Sequence, residues 1–261
     1  MTEMNAYMPG TFCWVELGTT DAKAAKKFYT GLFGWEIVDT PVGPDFIYTM
    51  LQVEGKDVAA LYEQGEPERS QGVPPHWSSY VSVASADESA AKAKSLGGTV
   101  LAEPFDVMDA GRMAIVQDPT GAVVGLWQPR QHIGARLVNQ PNTVCWNELS
   151  TNDQQKAGEF YTKLFDWQSQ VQDTGGTPYT LFMDGGQKAG MMQMTEEWGN
   201  MPPHWMVYFA VANCDASAEK AKELGGQVVV PPTDIAEVGR FAMVQDPQGV
   251  VFGILKSSNP T

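Results

Sequence analysis

Two glutamates hold matching places in the chain. Glu16 and Glu148 each stand two residues after a tryptophan, Trp14 and Trp146, in segments that alternate side by side along an extended strand. Indole and carboxylate therefore share the face opposite Val15 and Leu17. A carboxylate held beside indole and away from bulk water binds its proton more tightly, which suits it to taking a proton next to a carbonyl. The competing reading is an ion pair or hydrogen bond bracing a cleft wall, with Arg112 or Arg240 as partner. Those arginines are alternatively placed to clamp an anionic group of a ligand. His76 and His204 share the parity of Ser78 and Tyr80. They act as proton donors, or they begin a strand after Pro-Pro and are satisfied by backbone. The third histidine, His132, is expected to be structural. Trp14, Tyr80 and Trp127 in one half, and Trp146 and Tyr208 in the other, form flat aromatic walls that either stack a planar ligand or pack the halves together. Glu16, Glu148 and His76 are thus the candidates for proton transfer. Trp14, Tyr80, Arg112, Trp127, Trp146, His204, Tyr208 and Arg240 are the candidates for ligand contact.

The elements that position these groups are written twice. Residues 13–35, CWVELGTTDAKAAKKFYTGLFGW, recur as CWNELSTNDQQKAGEFYTKLFDW at 145–167, with 13 of 23 positions identical. Each copy predicts a strand, a helix capped by Asp21 or Asp153, and a second strand. Ala25, Phe28, Tyr29, Leu32 and Phe33 fall at the spacing of one apolar helix stripe, and Gly34 is placed to end it. Further strands are expected near 35–39, 46–53 and 57–62, and a loop over 63–75, where Gly, Pro, Glu and Ser cluster. A strand at 76–84, a short helix at 87–96 and three strands closed by the turn Asp118-Pro119-Thr120-Gly121 complete the half. The second half repeats this order, down to Pro202-Pro203-His204-Trp205 and Asp246-Pro247. Its methionines, Met192 and Met206 among them, are expected mainly to fill core.

Composition bounds the function. At 261 residues two domains are the default, with boundaries drawn at 1–128 and 144–261 and a connector at 129–143. A net charge of −14 repels phosphate backbones and anionic lipid, so no nucleic-acid or membrane partner is expected. No apolar run reaches the roughly 20 residues of a membrane span, the first residues lack the marks of a signal peptide, and the three cysteines show no framework spacing. A cytoplasmic protein with reduced thiols follows as the expectation. No phosphate loop, nucleophile elbow or Cys-x-x-Cys is present.

The Asp-capped helix with FYxxxFGW (Phe28 to Trp35) and the closing DPxG turns (Asp118 to Gly121, Asp246 to Gly249) resemble the vicinal oxygen chelate superfamily, which holds glyoxalase I, bleomycin-resistance proteins and extradiol dioxygenases. The likeness extends to two-domain actinobacterial members. It implies an α+β fold of two tandem domains, each of two βαβββ modules forming a cupped mixed sheet. Metal-dependent members carry a His or Gln seven residues before the capping Asp, a second ligand on the strand after the central loop, and a Glu seven residues after the Asp of DPxG. Carried onto this chain, those positions are Trp14, Ser78 and Gly125, and in the repeat Trp146, Met206 and Gly253. Such side chains make poor ligands for a divalent cation. The expectation is therefore a cofactor-free protein that binds a small aromatic or carbonyl-bearing molecule, for sequestration or metal-independent proton transfer. The alternative is a metal-dependent lyase or dioxygenase using His76 or His204 with Glu16 or Glu148; a further one is a non-catalytic partner-binding protein. With both halves on one chain, a monomer is expected.

Overall fold

The structure is a computed structural model, and residues 2–44, 46–173 and 178–258 are described. The first module comprises β1 (Phe12–Thr19), α1 (Ala22–Phe33), β2 (Glu36–Pro41), β3 (Ile47–Val53) and β4 (Lys56–Glu63). The second comprises β5 (His76–Ser82), α2 (Ala86–Ser95), β6 (Thr99–Val107), β7 (Gly111–Gln117) and β8 (Val123–Pro129). The third has β9 (Val144–Thr151), α3 (Gln154–Phe165), β10 (Gln168–Asp173), β11 (Pro178–Met183) and β12 (Gln187–Gln193). The fourth has β13 (His204–Ala210), α4 (Cys214–Glu223), β14 (Gln227–Ile235), β15 (Gly239–Gln245) and β16 (Val251–Ser257).

Local chemistry sets the helix ends. The Asp21 carboxylate accepts from the Ala24 N–H at 2.9 Å, and Gly34, at φ 70°, donates back to the Thr30 carbonyl. In α3 the cap is Asp153 on the Lys156 N–H at 3.0 Å. There the left-handed end falls on Asp166 (φ 58°), a short polar residue that tolerates this conformation. The five stripe residues of α1 are all buried, each contributing roughly 1.5–3 kcal/mol if fully withdrawn from water. The expected loop at 63–75 instead contains a helical turn, Glu66–Ser70, whose Glu68 carboxylate accepts from the Gly65 N–H at 3.1 Å. Self-capping outweighs the loop-like composition. A ribbon of Thr2–Glu3 against Leu137–Val138 also ties the chain start to the connector.

Each half forms one eight-stranded mixed sheet, ordered β2-β3-β4-β1-β5-β8-β7-β6 and β10-β11-β12-β9-β13-β16-β15-β14. The central strand β1 runs parallel to β4 and antiparallel to β5, and β5 runs parallel to β8. The two halves thus form the tandem α+β arrangement of mixed sheets that the resemblance implies. The face bearing Val15 and Leu17 packs on α1 and on Phe209, Phe252 and Ile254 of the other half, and a second mixed core joins α2 with α3. That leaves the face of Trp14 and Glu16 as the inside of the cup. No described helix is long and apolar enough to cross a membrane.

Candidate functional site

Both cups hold the same hydrogen-bonded group on their floor. In the first half, β1 places Trp14 and Glu16, β3 supplies Tyr48 and β5 supplies Tyr80. The Tyr80 hydroxyl donates to one Glu16 oxygen at 2.5 Å and the Tyr48 hydroxyl to the other at 2.7 Å, while the Trp14 N–H donates to the Tyr48 oxygen at 3.0 Å. The second half repeats this. Tyr208 and Tyr179 donate to Glu148 at 2.9 and 2.7 Å, and the Trp146 N–H donates to Tyr179 at 3.0 Å. Each carboxylate oxygen retains a lone pair for one further donor.

Burial raises the Glu16 carboxyl above the usual range, opposed by the bonds from Tyr80 and Tyr48 and by nearby His76. Burial raises Glu148 likewise, opposed by Tyr179 and Tyr208. All four phenols are pushed up by burial and by the carboxylate beside them, so they stay protonated and donate.

The structure brings Trp14, Glu16, Tyr80 and Trp127 together in the first cup, with Trp127 donating to the His132 carbonyl at 2.9 Å. His76 pairs in register with Gly18, one row from Glu16, and its Nδ1 donates to the Pro74 carbonyl at 2.8 Å. His204 makes the same bond to Pro202, and burial lowers its pKa. Arg112 and Arg240 correct the sequence expectation, for neither enters a cup. Arg112 forks onto both oxygens of Asp87 at 2.7 and 2.9 Å and reaches Asp106 at 3.1 Å, and Arg240 does the same with Asp215 and Asp234. The reason is register: Met113 pairs with Trp127 on the cup face, so its neighbour Arg112 points at the first turn of α2. Both arginines pair with aspartates rather than with Glu16 or Glu148.

Three residues escaped the sequence reading. Tyr48 and Tyr179 were assigned to strands without a role, although a Tyr-Thr pair recurs at 48–49 and 179–180. His132, expected to be merely structural, stands edge-on to Trp14 at 4.5 Å between ring centres and to Trp127 at 5.8 Å.

The positions that the resemblance assigns to metal ligands hold Trp14, Ser78 and Gly125, and in the repeat Trp146, Met206 and Gly253. A Cβ added at Gly125 would overlap the Tyr80 ring, and one at Gly253 the Tyr208 ring, so the tyrosines fill the seats a carboxylate would need. Among the described residues no three His, Cys, Asp or Glu side chains converge to hold an ion.

A family model described as Glyoxalase/Bleomycin resistance protein/Dioxygenase superfamily matches residues 11–126 and again 138–254. The chain is 44% identical over 258 residues, 98% of each protein, to the Mycobacterium tuberculosis protein named "Putative glyoxylase CFP32". It is 34% identical over 265 residues, 97% of this chain and 95% of the relative, to the anthracycline biosynthesis protein DnrV of Streptomyces peucetius. Among solved structures, the Mn(II)-bound glyoxalase from Novosphingobium aromaticivorans aligns over 97% of this chain and 86% of its own, with TM-score 0.66 and 16% identity. At that identity the likeness is one of fold alone.

Proposed function

This chain belongs to the glyoxalase/bleomycin resistance protein/dioxygenase superfamily, and from that membership we propose that it binds a small planar aromatic or carbonyl-bearing molecule inside a cup, at a Glu–Tyr cluster, without a metal ion. The observation that carries this reading is the twice-built arrangement of carboxylate, two phenols and indole on the floor of each cup. A ligand hydroxyl donates to the free lone pair of the glutamate while the indole side packs on its ring. A carboxyl that keeps its proton to higher pH donates instead to a ligand carbonyl, and in its ionised form it takes a proton from carbon beside that carbonyl. Similarity to a protein named for anthracycline biosynthesis supports the ligand class, since anthracyclines are planar hydroxyquinones.

The test is calorimetric titration of chelator-dialysed full-length protein with 1,4-dihydroxyanthraquinone. Saturable binding is expected without added metal, and the double variant Glu16→Gln, Glu148→Gln should lose roughly tenfold or more in affinity, the loss of a charge-assisted hydrogen bond. Binding that appears only after zinc, manganese or iron is restored would sink the proposal.

A further inference from the structure

The two clusters match, but what stands beside them does not. Glu16 pairs across β1 and β5 with Ser78; Glu148 pairs across β9 and β13 with Met206. The small hydroxymethyl leaves Glu16 partly exposed, whereas Glu148 is only 8% exposed beneath its methionine. One row on, Tyr62 donates to Glu68 at 2.8 Å with His76 close by, and the matching place in the second half is Met192, which has no such donor.

The other end of the cups differs in the opposite sense. Trp14 and Trp127 are 6% and 7% exposed because the connector lies across them. Gly134, at φ 109°, lets the backbone press onto Cys13, where Ala135 donates to the Cys13 carbonyl at 2.8 Å. Tyr7 clamps the same turn by donating to the Ala135 carbonyl at 2.7 Å. This places the His132 ring as a fixed end wall. In the second half Trp146 is partly exposed and the place of Trp127 is taken by Leu255.

Resting on the reading above, we infer that the first cup is the one that takes the ligand, an uncharged planar phenol or enol that enters beside Ser78, donates its hydroxyl to Glu16 and abuts the His132 wall, while the Glu148 cluster is closed framework. A half-buried carboxylate in a protein of charge −14 disfavours an anionic ligand. Met50, Met113 and Ile115, all partly exposed and packed against this aromatic cluster, offer adaptable apolar contact to the rest of the ring.

The experiment compares Ser78→Met, which copies the second half into the first, with Met206→Ala, which uncovers Glu148, in the same full-length titration with 1,4-dihydroxyanthraquinone. Wild type should bind one equivalent per chain, Ser78→Met should bind at least tenfold more weakly with an unchanged melting curve, and Met206→Ala should retain the wild-type site. If Ser78→Met does not fold, Ser78→Val gives the same comparison with a smaller side chain. Binding that these Ser78 variants leave intact overturns the choice of cup alone. A wild-type protein that takes up no probe, with or without metal, overturns the function proposed above and this inference together.

Discussion

A buried glutamate leaves a signature in the pH dependence of stability. Burial raises the Glu148 carboxyl above its unfolded value, with Tyr179 and Tyr208 opposing. Between the ordinary glutamate range and that raised value the folded chain holds more protons than the unfolded one. The group's contribution is thus fully present below the unfolded value and is lost as pH rises through the folded one. Glu148→Gln removes that titration at equal size, keeping an acceptor for one of the two phenols and setting an N–H against the other at every pH. Urea denaturation should therefore show the variant gaining on wild type as pH rises from 4 to 8, and a gap that stays constant or reverses would contradict the assignment. At this scale the sequence was informative about faces and silent about rows. Alternation alone put Trp14, Glu16 and Tyr80 on one side of the sheet. It could not bring Tyr48 to Glu16, because that meeting depends on how β3, β4 and β1 register across two turns. Arg112 was misplaced for the same reason: it shares parity with Ala114 and Val116, which are fully buried under α2, and that apolar company was the available clue.

At the level of elements, the cluster depends on a strand that makes room for it. Gly125 on β8 lies beside Tyr80 on β5, and an added methyl would meet the ring itself rather than a flexible chain end. Gly125→Ala should therefore cost about 1–3 kcal/mol, as overpacking does, and should release the Tyr80 hydroxyl from Glu16. Tyr80→Ala alone also destabilises, by removing a buried ring. Combined, the two changes should be less damaging than their sum by about 1 kcal/mol or more, the mark of residues in contact. Strict additivity in denaturant melts would show that the glycine answers to something else. The helices and hairpins were readable because their signals are local: a capping Asp, a five-residue stripe, a DPxG turn. The helical turn at Glu66–Ser70 was not, since Gly65, Pro67 and Gln71 resemble a loop until Glu68 is seen to cap Gly65 and accept from Tyr62. The His132 wall was hidden too, because nothing in the connector's composition says that it folds back over Trp14.

Taken whole, the molecule is two sheets that share their cores. Tyr29, on the first helix, donates to Asp246 in the last turn of the other half at 3.0 Å and accepts from the Trp77 N–H at 3.1 Å. Tyr161 matches it in part, accepting from the Trp205 N–H at 2.9 Å while burial and the nearby Asp118 carboxylate push its phenol up. Trp167 donates across to the Gly10 carbonyl at 2.8 Å, and Trp35 to the Asn142 carbonyl of the connector at 2.7 Å. With Phe28 and Phe33 packed among Phe209 and Phe252, the helix-side core of each half is completed by the other, and only the cup cluster of Trp14, Tyr80 and Trp127 lies within the first half and the connector. Tyr29→Phe tests this. It leaves Asp246 Oδ2 and the Trp77 N–H, each buried, without their partner at a cost of about 1–3 kcal/mol per unsatisfied group, while Asp246 Oδ1 keeps its bonds from the Gln248 and Val250 N–H groups. Burial already raises the Asp246 carboxyl and the Tyr29 bond opposes that rise. Removing the bond widens the interval over which stability falls, so the variant's deficit should be larger at pH 7 than at pH 4. Most tellingly, the loss should shift one cooperative transition as a unit, with tryptophan fluorescence and circular dichroism melting together. Two separated transitions would mean that the halves fold as independent domains, joined by the connector and little else.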